Sequence, residues 1–159
     1  MAAREERKKN PVQPNVIAAN PITTRLNEIQ KLIDQKQYGR AETELKALIV
    51  GKSGEPRVYY TLGNVQGQMA VASTDPVQQR AKFLDAKKAY ETVLKMAQTD
   101  KVDPALLSLS YVALGKIYED NDESAYALKI YDAAISIGNV QGGAYGEAMA
   151  AKQRLLKDQ

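Results

Sequence analysis

From residue 21 onward, apolar residues return every three or four positions. Leu26, Ile29, Leu32 and Ile33 make the first set, Ala41, Leu45, Leu48 and Ile49 the second, and Tyr59, Leu62 and Val65 the third. Phe83, Ala86, Tyr90, Val93 and Ala97 continue the pattern. Leu107, Tyr111, Leu114 and Tyr118 follow, and then Ala127, Ile130, Tyr131 and Ala134. This spacing puts each set on one face of an α-helix and predicts six amphipathic helices. An alanine-rich seventh is expected over residues 142–157, with Ala144, Ala148, Ala151 and Leu155 on one side. No alternating run of β-branched residues competes, so the fold class is all-α.

Residues 1–20 read differently. A charged cluster is followed by Pro11 and Pro14 with Asn and Gln around them, and Pro21 closes the stretch. Prolines remove amide donors and fix φ, which suits a leader rather than a core. Asn20 before Pro21 marks a helix start, because the Asn side chain caps free amides and the proline sits where no N–H is needed. Asp75 with Pro76 and Asp103 with Pro104 repeat the device, and Asp122 before Glu123 and Ser124 suggests a fourth start. Gly51 and Gly138 fall where helices should stop, as left-handed caps.

A two-helix unit buries its apolar face only by stacking on copies of itself, which directs attention to internal repeats. Tyr111, Leu114, Gly115, Tyr118, Ala127, Tyr131 and Ala134 resemble the signature of the tetratricopeptide repeat family. Leu62, Gly63, Ala86 and Tyr90 look like a second, stretched copy, with Gln66 where the aromatic usually stands. A diverged first copy has Ile29 in place of the glycine, followed by Ala41 and Leu45. Gly63 and Ala86 are 23 positions apart against 12 for Gly115 and Ala127. The middle pair should therefore be longer than its neighbours and project past them at both ends.

The resemblance implies a right-handed α-solenoid over 21–159, with helix pairs near 21–52, 55–98 and 104–138 and a capping helix at 142–157. It further implies that Gly115 and Ala127 mark the close helix crossing, that Tyr118 and Tyr131 fill space between stacked pairs, and that the first helix of each pair lines a concave surface open to a protein or peptide partner. The function implied is that of an adaptor or scaffold. The alternative is a structural module that oligomerises by end-to-end stacking.

Helical geometry names the residues facing such a groove. Arg57, Tyr60, Asn64 and Gln68 form one row, Val112, Lys116 and Asp120 another, and Gln30 belongs to the first pair. Some family members grip a terminal carboxylate with Asn and Lys, which Asn64 and Lys116 resemble, although Leu26 and Val112 stand where such a clamp has Lys. Polar residues that merely solvate the groove account for the same row. Met69, Val71, Val77 and Phe83 near the middle hairpin's tip either form an apolar docking knob or zip its two arms together.

Composition removes other chemistries. The 159 residues include no Cys, His or Trp, which excludes disulfides, imidazole-based triads and metal centres built on Cys or His. No cofactor or metal is expected, and no enzyme activity. The net charge of +3 owes +2 to Arg4, Arg7, Lys8 and Lys9 set against Glu5 and Glu6. The nearly neutral remainder does not point to nucleic acid. No stretch has the length of a membrane span. The cytoplasm is the default compartment, with export left open.

Three apparent motifs fail on spacing or context. Gly51, Lys52 and Ser53 imitate the end of a phosphate loop, but Lys46 stands where its earlier glycine belongs. The acidic run Asp120–Glu123 has Ala125 and Tyr131 at the positions a calcium loop gives to Gly and Glu. Gly142, Gly143 and Gly146 lack the strand of a dinucleotide site and should loosen the start of the last helix.

Overall fold

A computed structural model describes residues 20–51 and 54–159. The leader apart from Asn20, and Lys52 and Ser53 of the loop-like triplet, lie outside the described residues. Among the described residues seven helices follow one another: α1 (Pro21–Asp34), α2 (Tyr38–Val50), α3 (Pro56–Ala72), α4 (Pro76–Thr99), α5 (Pro104–Asp120), α6 (Ser124–Ile137) and α7 (Tyr145–Lys157). No strand occurs among the described residues. None of these helices is long and apolar enough to cross a membrane.

The helix starts follow from their caps. Asn20 Oδ1 accepts from the Ile22 amide at 3.0 Å, Asp75 Oδ1 from Val77 at 3.0 Å, and Asp103 Oδ1 from Ala105 at 3.1 Å. Each cap satisfies an amide that the first helical turn leaves without a partner. Glu55, which the sequence reading passed over, does the same before Pro56, accepting from the Arg57 amide at 3.4 Å. Asp122 does not cap α6. It takes φ of 61° in the preceding turn, and α6 starts from Glu123 without a side-chain cap.

The α1–α2 and α5–α6 turns are built alike. Lys36 and Asp122 both have positive φ, at 58° and 61°. After Lys36 the amide of Gln37 returns to Leu32 O at 2.8 Å, and after Asp122 the amide of Glu123 returns to Tyr118 O at 2.8 Å. This reversal ends a helix by satisfying its last carbonyls, at two places where no glycine is present to signal it. Gly51, in contrast, has φ −67° and is not left-handed, while Gly138 pairs its φ of 91° with an extended ψ of 178°.

Each helix packs chiefly on its neighbours in chain order, and α5 additionally meets α3 and α7. The core is correspondingly strung out in three clusters. Ile29, Ala41, Leu45, Val58, Leu62, Val65 and Ala89 join α1 through α4. Ala86, Tyr90, Leu114 and Ile117 join α4 to α5. Val112, Ala127, Tyr131, Ala134, Ala144, Ala148, Ala151 and Leu155 bind α5, α6 and α7. Helix α7 is therefore part of the core.

Two close crossings set the hairpins. A β-carbon at Gly63 would lie 2.6 Å from Cε1 of Tyr90, and one at Gly115 would lie 2.6 Å from Cε1 of Tyr131. The sequence reading put Tyr131 between stacked pairs. Its ring instead sits over Gly115, inside the α5–α6 hairpin, while also belonging to the cluster shared with α7. Tyr118 does reach between hairpins: its ring stacks on Tyr126 with centroids 5.7 Å apart, and Lys87 of α4 lies 4.7 Å from its centroid.

Both arms of the middle hairpin are elongated at its turn, but only α4 is elongated at the opposite end. Helix α3 continues nine residues past Gly63, whereas α5 continues five past Gly115, and the 24-residue α4 starts ten residues before Ala86. At the opposite end α5 begins eleven residues before its glycine and α3 only seven. The insertion there lengthens α5 together with α4, rather than the middle pair alone.

Candidate functional site

The helical row on α3 lies beside the row on α5. Tyr60, Asn64 and Gln68 border the same cleft as Val112, Lys116 and Asp120, with Gln30 of α1 also on its wall. The cleft encloses about 440 Å³. Ile33 of α1, Phe83 and Tyr90 of α4, and Ala144 and Glu147 from the α7 end complete its character as an apolar floor with a polar rim.

The close approach of Tyr90 to Gly63 has a chemical effect one residue further on. It lets the Tyr90 hydroxyl donate to Asn64 Oδ1 at 2.7 Å. Burial, with the nearby Tyr60, pushes the Tyr90 phenol well above its ordinary pKa, so it remains a donor. The Asn64 oxygen is thus engaged from within, and its amide N–H groups are the ones with no partner among the described residues. On α1, Gln30 Nε2 donates to Asp34 Oδ1 at 2.9 Å.

Lys116 Nζ donates to Glu147 Oε2 at 3.2 Å across the α5–α7 junction. Asp120 lies one helical turn on. Burial and the adjacent Glu119 carboxylate raise its pKa, with Lys116 partly opposing them. Lys116, Asp120 and Glu147 give the lining a formal charge of −1. That sign, and the commitment of Lys116 to Glu147, run against the Asn64–Lys116 carboxylate clamp considered from sequence.

One residue of the expected row lies outside the cleft, and another lines it with little exposed surface. Val112 borders the cleft but is only 2% exposed, buried in the cluster that α5 shares with α6 and α7. The row pattern on α5 alone gave no sign of that burial. Arg57 does not line the cleft. It donates to Glu55 Oε1 at 2.9 Å and to Thr23 Oγ1 at 3.0 Å, beside a separate depression that includes Lys101 and Asp103. Its position near the start of α3, seven residues before Asn64, carries it beyond the cleft's end.

Glu147 and Phe83 also line the cleft, outside the rows that helical spacing predicts. Glu147 follows from α7 lying against α5, a long-range contact that no local period encodes. Sequence alone places Phe83 near the hairpin tip. Of its neighbours there, Val71 and Val77 are 69% and 76% exposed, while Met69 packs on the first core cluster and lies beside Gln78 and Ala81 of α4. Among the described residues no group of three or more carboxylates is placed to hold a metal.

Comparison with protein families finds no family that matches this chain, and comparison with curated proteins finds no match either.

Proposed function

We propose that the chain is a protein-binding scaffold of the tetratricopeptide type, its three hairpins stacked as a right-handed solenoid with α7 closing the series. Its cleft receives a peptide segment of a partner protein. The observation that carries this reading is the convergence of three helices distant in sequence: residues four apart on α3 and on α5, together with Gln30 of α1, border one open cleft. The repeated glycine–tyrosine crossing and the matching α1–α2 and α5–α6 turns support a repeat architecture. An apolar floor with convergent polar side chains suits recognition of an extended or helical segment. Polar side chains that only keep the cleft wet would require none of this convergence to matter.

A displayed library of random peptides, panned against the full chain and then against Gln68→Arg, tests the reading. Gln68 is exposed, so the substitution blocks the cleft without disturbing the core. Peptides enriched on the wild type should lose binding to Gln68→Arg. Enriched peptides that bind both proteins equally would contradict a site in this cleft.

A further inference from the structure

Asp120 stands out among the charged residues of the cleft. Glu147 has Lys116 as its partner, but Asp120 forms no ion pair among the described residues. It ends α5, where the helix's own carbonyls add negative potential and no basic residue occupies the last turn. Glu119, its neighbour in sequence, is held by Arg154 on the side facing α7. The other cations close by are not directed to it. Lys87 lies over the Tyr118 ring, and both Arg80 and Lys87 border a second depression across Phe83 and Ile117. Phe83 and Ile117 also line the main cleft, giving it an apolar wall.

Resting on the peptide-scaffold reading above, we infer that the bound segment carries a lysine or arginine whose charged end pairs with Asp120 and whose methylene stem lies along Phe83 and Ile117. Long basic side chains satisfy both requirements at once, since their stems are apolar and their ends cationic. An acidic segment would meet a lining of its own sign, with Lys116 already neutralised by Glu147.

The test uses the same displayed peptides, sequenced after selection on the full chain and measured against Asp120→Asn and Asp120→Lys. Asp120 is exposed at a helix end, so neither variant should unfold the protein, and circular dichroism checks that. Cleft-dependent peptides, those lost on Gln68→Arg, should be enriched in Lys or Arg, bind Asp120→Asn about two- to fivefold more weakly, and fail on Asp120→Lys. Replacing the peptide's basic residue by Glu should restore binding to Asp120→Lys. Cleft-dependent peptides without a basic preference, or indifferent to Asp120→Asn, would overturn this inference and leave the scaffold reading intact. No cleft-dependent peptides at all would overturn both. Light scattering that finds dimers broken by Asp120→Asn would make a second copy of the chain the occupant and overturn the basic-segment proposal.

Discussion

The Tyr131 ring fills the space a side chain at Gly115 would need, and its hydroxyl reaches Glu119 Oε2 at 2.8 Å. One glycine thereby fixes both a helix crossing and a polar contact. Because Tyr131 is fully buried, it has no room to retreat from an added methyl group. Gly115→Ala should cost about 2 kcal/mol through overpacking, and Gly63→Ala under Tyr90 a similar amount. Gly67 is helical with open space around it, so Gly67→Ala should instead stabilise by about 0.5–1 kcal/mol. Urea unfolding of the three variants checks the opposite signs.

Removing the ring creates the reverse defect. Tyr131→Ala should cost about 3 kcal/mol or more, because its void is walled by Ala127, Ala134 and Ala148, which are too small to fill it. Tyr131→Phe keeps the ring and loses the hydroxyl bond, for about 1 kcal/mol. Thermal or urea unfolding should rank the two in that order.

Glu119 ties three helices together, accepting from Tyr131 of α6 and from Arg154 of α7 at 2.6 and 2.9 Å. Burial alone would raise its pKa, but the bonds to Arg154 and Tyr131 outweigh it and leave the group below its ordinary value of 4.5. A depressed carboxylate contributes stability that is fully present above the unfolded value and disappears as pH falls through the folded one. The melting-temperature gap between wild type and Glu119→Gln should therefore hold steady from neutral pH to about 4.5 and close below it. A gap that widens on acidification would contradict the network.

Three lysines in ion pairs should behave differently when truncated. Lys116 and Glu147 are both more than half exposed, so Lys116→Ala should move the melting temperature hardly at all. Glu42 is 6% exposed and is shared by Lys46 of its own helix and Lys82 of α4. Lys82 is the less exposed of the two and joins different helices, so Lys82→Met should cost about 1–2 kcal/mol and Lys46→Met less than about 0.5 kcal/mol. Equal losses would show that the α2–α4 link carries no special weight.

Local chemistry made some of these features legible in the sequence. The Asn–Pro and Asp–Pro starts of α1, α4 and α5 were readable because cap and helix are adjacent in sequence, and the three-and-four spacing of apolar residues marked all seven helices. Where the reading failed, the deciding contact was distant or the residue type unusual. Val112 lines the cleft as its row predicts, but its burial in the cluster shared with α7 could not be read from α5 alone. Arg57 shares a helical row with Asn64 yet is drawn to Thr23 of α1. Lys36 and Asp122 adopt positive φ without being glycine, while Gly51, which invites that assignment, does not. The elongation of α4 was visible as a changed spacing, but its division between helices depended on where α3 and α5 begin.

The space between α3 and α5 is the binding site we propose. Its most direct test is an NMR titration of the 15N-labelled full chain with a peptide selected by display. Shifts should concentrate at Tyr60, Asn64 and Gln68 and at Lys116 and Asp120, leaving exposed residues on α6 such as Tyr126 unmoved. Saturable shifts confined to α6 or to the tip of α4, with the cleft residues unchanged, would contradict it.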